Sequence, residues 1–235
     1  MLKRAIKKHT PRLYLSLKRA YYYIINLLYV QRSYSLEGED LVLAKLLDFK
    51  STGYYVDIGA HHPVQFSNTN FFYKMGWHGI NIDAMPGSMK IFNSKRKRDI
   101  NLEMPITASP QELSYYVFEA GAYNTFSKEL AEKNAQHSTL LKKIVLKTQT
   151  LASVLDQYVS AGQEIDFFSI DVEGYDLEVL EANDWKKYRP KFVLVEDHGF
   201  DLETPTVSPI YNYLHSQDYK LAAKTDNTVF YRANK

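Results

Sequence analysis

Carboxylates, imidazoles and small residues come together at four places in this chain. These are Asp57-Ile58-Gly59-Ala60-His61-His62-Pro63, Asp83-Ala84-Met85-Pro86, Asp171-Val172-Glu173-Gly174 and Glu196-Asp197-His198-Gly199. Aspartate and glutamate can accept hydrogen bonds from ligand hydroxyls, face a cationic group, or chelate a hard cation through oxygen. A histidine beside them suits proton transfer, because its unperturbed pKa lies near neutrality. A glycine followed by alanine lets a ligand approach the backbone. For any one of these acids, helix capping and turn chemistry is the plainer account. Four in succession make capping alone insufficient. The chain has no cysteine, which excludes a disulfide framework, a thiolate nucleophile and a thiolate metal site; a cytoplasmic location fits.

Each of the four runs closes a short apolar segment, and the segments between them read as helices. Strands are expected at 54–58, 79–83, 100–104, 165–171 and 192–196, and helices at 39–47, 68–75, 86–92, 151–158, 177–182 and 209–216. Pro86 is expected in the first turn of its helix, where its missing N–H costs little. The runs at 165–171 and 192–196 are nearly all apolar, as for central strands buried on both faces. A last pair of strands, 219–223 and 228–231, flanks the turn Asp226-Asn227. The expected fold is therefore α/β: a doubly wound, mostly parallel seven-stranded sheet with a reversed last strand. Residues from about 105 to 150 break the alternation. Two strands, 113–118 and 144–150, flank a polar, partly helical stretch at 127–142, which reads as a hairpin-like insertion forming a flap over one edge of the sheet. Its aromatics Tyr115, Tyr116, Phe118, Tyr123 and Phe126 could stack on sugar rings, although core packing is the safer reading for alternating members.

Composition bounds the rest. With 235 residues, 45% hydrophobic and 24% charged, the chain is an ordinary globular protein and not a disordered or low-complexity one. The net charge of +2 is uneven. Residues 1–32 hold Lys3, Arg4, Lys7, Lys8, Arg12, Lys18, Arg19 and Arg32 and no acid, which leaves −6 on residues 33–235. Leu13, Leu17, Ala20, Tyr21, Ile24 and Leu28 recur at helical spacing, so 12–30 reads as a basic amphipathic helix. Its apolar stretch, 21–30, is half the length of about 20 residues that a membrane span needs. No small-residue cleavage site follows it, so a signal peptide is not expected. The helix suits an anionic membrane surface, or it packs its stripe on the main domain or a second subunit. Nucleic acid is not expected, because no recognition module follows. The domain division is thus 1–32 and 33–235. Lys95–Arg98 reads as a solvated basic face, or as a contact for a pyrophosphate.

In open α/β sheets ligands bind beyond the carboxyl ends of the strands. Asp83, closing the second strand, suits ribose hydroxyls, and Gly59 with Ala60 leaves room for a ligand. The G-x-G-x-x-G fingerprint is absent, and Pro63 stands where a helix N-terminus would receive a pyrophosphate. An adenosine ligand without phosphate fits better, and S-adenosylmethionine, with its sulfonium and amino group, suits an acidic rim.

These residues, together with Ser35-Leu36-Glu37-Gly38-Glu39-Asp40, Asn81-Ile82-Asp83 and Ile165-Asp166-Phe167-Phe168-Ser169-Ile170-Asp171, resemble the FkbM family of S-adenosylmethionine-dependent methyltransferases from about residue 33 to the end. Asn68-Thr69-Asn70-Phe71-Phe72, Trp77 and Asn183-Asp184-Trp185 are similar to its surface-polysaccharide branch. The resemblance implies a class I methyltransferase fold and O-methylation of a sugar hydroxyl on a glycan or glycolipid; the basic helix, which lies outside it, would place the enzyme at the inner face of the membrane. The cofactor is expected at Glu39, Asp57, Gly59, Ala60, Asn68, Asp83 and Ala84, with Asn68 equally able to cap the following helix. A sugar hydroxyl needs a base, or a metal that lowers its pKa. His198 is the expected base, with Asp171 and Glu173 as its catalytic companions. His61, His62 and Glu196 are expected at the substrate. Asp171 and Glu196 end neighbouring strands and could chelate a divalent cation such as Mg²⁺, or bind substrate or cofactor without one. Two rivals stand beside this reading: a metal-dependent glycosyltransferase using Asp171-Val172-Glu173 for a nucleotide sugar, and a non-catalytic envelope scaffold.

Overall fold

The computed structural model describes residues 10–234, in two units, 1–32 and 33–235. In the first unit, helix α1 (Pro11–Tyr29) opens with proline in its first turn. Leu13, Leu17, Tyr21 and Ile24 on its apolar stripe are all more than half exposed. Lys3, Arg4, Lys7 and Lys8, which carry half of the expected positive charge, lie outside the described residues. Among the described residues no helix is long and apolar enough to cross a membrane.

The second unit is built on one sheet. Strands β1 (Tyr54–Ile58), β2 (His78–Asp83), β3 (Ile100–Glu103), β6 (Phe167–Ile170), β7 (Phe192–Glu196), β8 (Tyr219–Lys224) and β9 (Thr228–Ala233) lie in the order β3-β2-β1-β6-β7-β9-β8. The five from β3 to β7 are parallel, and β9 runs antiparallel to both β7 and β8. The reversed strand expected from the terminal hairpin is thus inserted beside β7. This is the class I methyltransferase layout.

Alternation with a period of two divides the strands between two cores. Tyr54, Val56 and Ile58 point to one side, with Phe168, Val193 and Val195, against helices α6 (Leu151–Tyr158), α7 (Asp176–Glu181) and α8 (Pro209–Ser216). Tyr55, Phe167, Phe192, Leu194 and Phe230 point to the other, where α2 (Glu39–Leu46), α3 (Asn70–Lys74) and the fully buried Trp77 cover them. Burial on both faces explains why these strands read as unbroken apolar runs. Trp77 and Trp185 are core residues, and Trp185 Nε1 donates to Leu180 O.

One polar cluster ties the first three strands together. Asp99 is completely buried as a side chain and accepts from Arg96 Nε at 2.9 Å. It also accepts from the Tyr55 hydroxyl, the Gly79 N–H and the Asn81 amide. The Arg96 guanidinium in turn donates to Pro63 O, Tyr55 Oη and Thr69 Oγ1. The reading of Lys95–Arg98 as a solvated or pyrophosphate-binding face is therefore corrected at Arg96, which is 1% exposed. Burial alone would lower its pKa, but Tyr55 and Asp99 outweigh that and hold it above its usual value. Arg98 lies over the Tyr73 ring, 3.8 Å from guanidinium carbon to ring centroid.

Several boundaries move for local reasons. Helix α4 is Met89–Lys95, not 86–92. Pro86 sits in a turn instead, where the Met85 N–H goes to Asp83 Oδ1, the Gly87 N–H to Glu103 Oε2 and the Ser88 N–H to Met85 O. Helix α3 starts at Asn70, because the Thr69 hydroxyl is given to Asp57. In the insertion, β4 (Glu112–Phe118) and β5 (Leu140–Lys147) pair antiparallel as a separate two-stranded sheet, and a 3-10 turn (Gly121–Tyr123) and helix α5 (Lys128–Asn134) lie between them. Strand β5 ends at Lys147 because Thr148 turns inward to Thr107 and Thr150 caps α6.

Arg96→Ala should lower the unfolding free energy by about 3–5 kcal/mol in urea titrations, since it leaves a buried carboxylate unpaired. Arg96→Lys should recover less than half, because an ammonium cannot reproduce the planar fork. A loss below about 1 kcal/mol for Arg96→Ala would refute a structural role for this cluster.

Candidate active site

The carboxyl ends of β1, β2 and β6 are fastened to one another by backbone. The N–H groups of Gly59 and Ala60 both reach Ile82 O, and the Asp171 N–H reaches Ile58 O. Gly59 has φ +85°, and a Cβ there would stand 1.7 Å from Asp171 O. Only glycine permits both the conformation and the approach. His61 follows with φ +48° and donates its N–H to Asp83 Oδ2 at 3.0 Å. Asp83 therefore holds two loops, one on each oxygen, while still lining the space above.

That space is a cavity of about 720 Å³. The sheet contributes Ile58, Gly59, Asp83, Asp171 and Glu196 to its wall. The insertion closes it from above with Tyr115, Phe118, Asn124, Phe126 and Leu141. The expected flap therefore covers the strand ends rather than one edge of the sheet. It is pinned there by Thr125 Oγ1 donating to Glu173 O at 2.9 Å and by the Asn124 amide over Met85 Sδ. Tyr115 and Phe126 pack at 4.5 Å between centroids, and Phe126 meets Tyr175 edge-on at 5.7 Å. Tyr116 and Tyr123 stay off the wall; Tyr123 stacks on His137.

The lining is electrostatically one-sided. It includes Glu37, Glu39, Asp83, Glu119, Asp171, Glu173 and Glu196, and neither lysine nor arginine among the described residues. Asp171, Glu173 and Glu196 crowd together with Asp176, which lies just behind and accepts the N–H groups of Val172 and Gly174. Burial raises all four, and repulsion from neighbouring carboxyls adds to it at Glu173, Asp176 and Glu196. Glu173 is pushed up to about 8 by burial, then by Asp171 and Asp176, and Asp176 to about 7 by burial and Asp171. Glu196 rises by burial and by the charges of Asp171, Glu173 and Asp176, and it shares a hydrogen bond with Asp171. Asp171 is open to water from the cavity but enclosed on its other sides, and burial raises it also. This cluster keeps protons that a bound cation would displace.

Of the residues singled out by sequence, Glu39, Gly59, His61, Asn68, Asp83, Ala84, Asp171, Glu173 and Glu196 line the cavity. Asn68 donates to Ser169 Oγ and caps nothing. Four lie elsewhere. Asp57 is buried beneath the wall, accepting the Thr69 hydroxyl at 2.8 Å, and burial pushes it up to about 6. Ala60 packs against Met89 and Phe92. His62 turns away from the substrate position, since its Nδ1 accepts the N–H groups of Val64 and Gln65; adjacent side chains diverge, and His61 takes the inward place. His198, the expected base, is two-thirds exposed and stands behind Glu196, with Nε2 3.1 Å from Glu196 Oε2. Asp171 and Glu196, the expected cation pair, do meet, but among the described residues no group of three His, Asp or Glu could hold a metal ion. Sequence reasoning missed Asp176, Glu37 and Asn227. Glu37 lay within a quoted motif, while Asp176 and Asn227 looked like ordinary cap and turn residues.

The raised pKa of Glu173 has a stability consequence. The folded state binds this proton more tightly than the unfolded chain, so the contribution is favourable below about 4.5 and is lost as pH rises to about 8. Glu173→Gln should therefore gain stability over the native protein between pH 5 and pH 8, by about 1–3 kcal/mol in paired urea titrations. An unchanged difference at the two pH values would overturn the assignment.

No curated protein matches the chain significantly. Among solved structures, precorrin-6y C5,15-methyltransferase from Geobacter metallireducens superposes with a TM-score of 0.43 at 12% identity, over 86% of this chain and 90% of that one. An O-methyltransferase from Bacillus cereus in complex with SAH gives 0.43 at 10% identity, over 99% and 97%. The model of the methyltransferase FkbM domain matches residues 57–221, well over half of the chain and spanning the sheet from β1 into β8. The chain belongs to the FkbM family of methyltransferases.

Proposed function

We propose that this methyltransferase takes its methyl group from S-adenosylmethionine and transfers it to a sugar hydroxyl of a glycan or glycolipid in surface-polysaccharide synthesis. The observation that carries the reading is the cavity wall, with seven carboxyl side chains and no lysine or arginine among the described residues. Such a wall attracts a cation and repels phosphate. When bound, S-adenosylmethionine would supply a methyl carbon activated by a positive sulfonium. Asp83 is placed for ribose hydroxyls, Gly59 removes the obstacle a side chain would present, and Glu39 and Asp171 offer carboxylates to the amino group and sulfonium. Holding the reacting atoms in line accounts for much of such a rate enhancement.

Asp171 supplies the oxygen base for the acceptor hydroxyl, with Glu196 hydrogen-bonded to it. Leu36, Phe66 and Leu141 line the cavity and are each more than half exposed, so the mouth suits an acceptor with an apolar part, such as a lipid-linked sugar. A nucleotide sugar would bring a pyrophosphate to a wall without a fixed cation, which weighs against the glycosyltransferase. The intact carboxyl cluster weighs against a scaffold. The basic charge and exposed stripe of α1 support peripheral binding to an anionic membrane surface.

Calorimetry should show saturable binding of S-adenosylmethionine and none of UDP-glucose. Asp83→Ala should weaken the former at least about tenfold, the scale of a lost charge-assisted hydrogen bond. Labelled methyl should pass to at least one of a panel of methyl glycosides. Binding of UDP-glucose alone would reverse the reading. For the membrane, the full chain should sediment with vesicles containing phosphatidylglycerol and release in salt, whereas deletion of residues 1–32 should abolish binding. Equal sedimentation by the truncated protein would refute it.

A further inference from the structure

His198 lies outside the cavity wall yet is wired to it. Its Nε2 faces Glu196 Oε2 at 3.1 Å, and its Nδ1 faces Asn227 Oδ1 at 3.1 Å. Which nitrogen carries a proton is decided one step further back. Glu37, as a carboxylate, has only acceptor oxygens. Burial raises its pKa, but the N–H groups of Asn227 and the Thr225 hydroxyl outweigh that and leave it below its usual value. It accepts the Asn227 backbone N–H on Oε2 at 2.9 Å and the Asn227 side-chain amide on Oε1 at 2.8 Å. The Asn227 carboxamide must therefore turn its nitrogen to Glu37 and its oxygen to His198. That oxygen can only accept, so His198 Nδ1 must donate. The backbone fixes the arrangement, because Asn227 O accepts the Asp197 N–H at 2.9 Å. Neutral His198 consequently has its lone pair on Nε2, facing Glu196, while the exposed imidazole meets water.

We propose that Glu37 and Asn227 are positioning residues that hold His198 in its Nδ1–H form, so that Nε2 carries to solvent the proton released when the acceptor hydroxyl is methylated. The inference rests on the methyl-transfer reading above. As the acceptor oxygen bonds to the methyl carbon, the carbon–sulfur bond breaks with its electron pair going to sulfur, and the hydroxyl proton passes to Asp171. Glu196, hydrogen-bonded to Asp171, gives its own proton to His198 Nε2 and takes the one from Asp171. The imidazolium then loses a proton to water, and the carboxyl pair returns to its starting charge.

The test uses the full chain labelled with ¹⁵N-histidine and saturated with S-adenosylhomocysteine, with His198→Gln assigning the signal. The native protein should show the Nδ1–H form. Asn227→Ala should shift it to the Nε2–H form. The double variant Glu37→Gln with Asn227→Asp keeps the hydrogen bonds that join residue 37, residue 227 and His198 by exchanging donor and acceptor, and should restore the native form. On the fastest glycoside of the panel, Asn227→Ala should lower kcat at least about tenfold with donor affinity unchanged, and the double variant should recover most of the loss. A native Nε2–H signal, or an Asn227→Ala spectrum or kcat equal to the native one, would overturn the inference. If no glycoside is methylated, the proposed function fails, and the tautomer assignment is decided by the spectra alone.

Discussion

The buried ion pair of Arg96 and Asp99 is the constraint on which the site depends. A charge withdrawn from water is tolerated only when its hydrogen bonds are met. Here they are met by Tyr55 of β1, Gly79 and Asn81 of β2, and Pro63 and Thr69 of the loop after β1. Thr69 passes the constraint on to Asp57, which registers against Asn81 and Ser169 on the flanking strands. The loop carrying Gly59, His61 and Asn68 is thereby held at both ends. Without that anchorage nothing in the apolar cores would specify how the loop leaves the sheet.

The site above it works against stability. Placing Asp171, Glu173, Asp176 and Glu196 together forces several to keep protons that free carboxyls would lose. A structural protein gains nothing from such crowding. A binding site gains affinity for a positive ligand and a reservoir of oxygen bases, and perturbed carboxyls in a cleft are a common mark of function. The uneven charge of the chain acquires a location as well: much of the deficit in residues 33–235 faces this one cavity.

The insertion decides what kind of ligand can be held. Its two strands need something to cover, because an isolated two-stranded sheet is marginal in water. Tyr115, Phe118 and Phe126 supply apolar cover over the acidic floor. The strand-end acids supply charge and the flap supplies shape.

The alternation of apolar runs with helical segments sufficed to place the strands, since burial on both faces demands it, and the acids after those runs had to fall at one edge because parallel strands put all their carboxyl ends together. The four motifs and the family were readable from such local patterns. Pairing over long sequence distances was not. Whether His61 or His62 faces inward turned on the φ of one residue, and Arg96 looked solvated until Asp99 and Tyr55 closed around it. Glu37 and Asn227 meet across 190 residues, and no local spacing announces that His198 borrows its tautomer from them. Sequence by itself determined the layers and the chemistry available, because periodicity and residue type are local properties. The tertiary structure alone decided which carboxyl meets which imidazole, because hydrogen bonds form between neighbours in space.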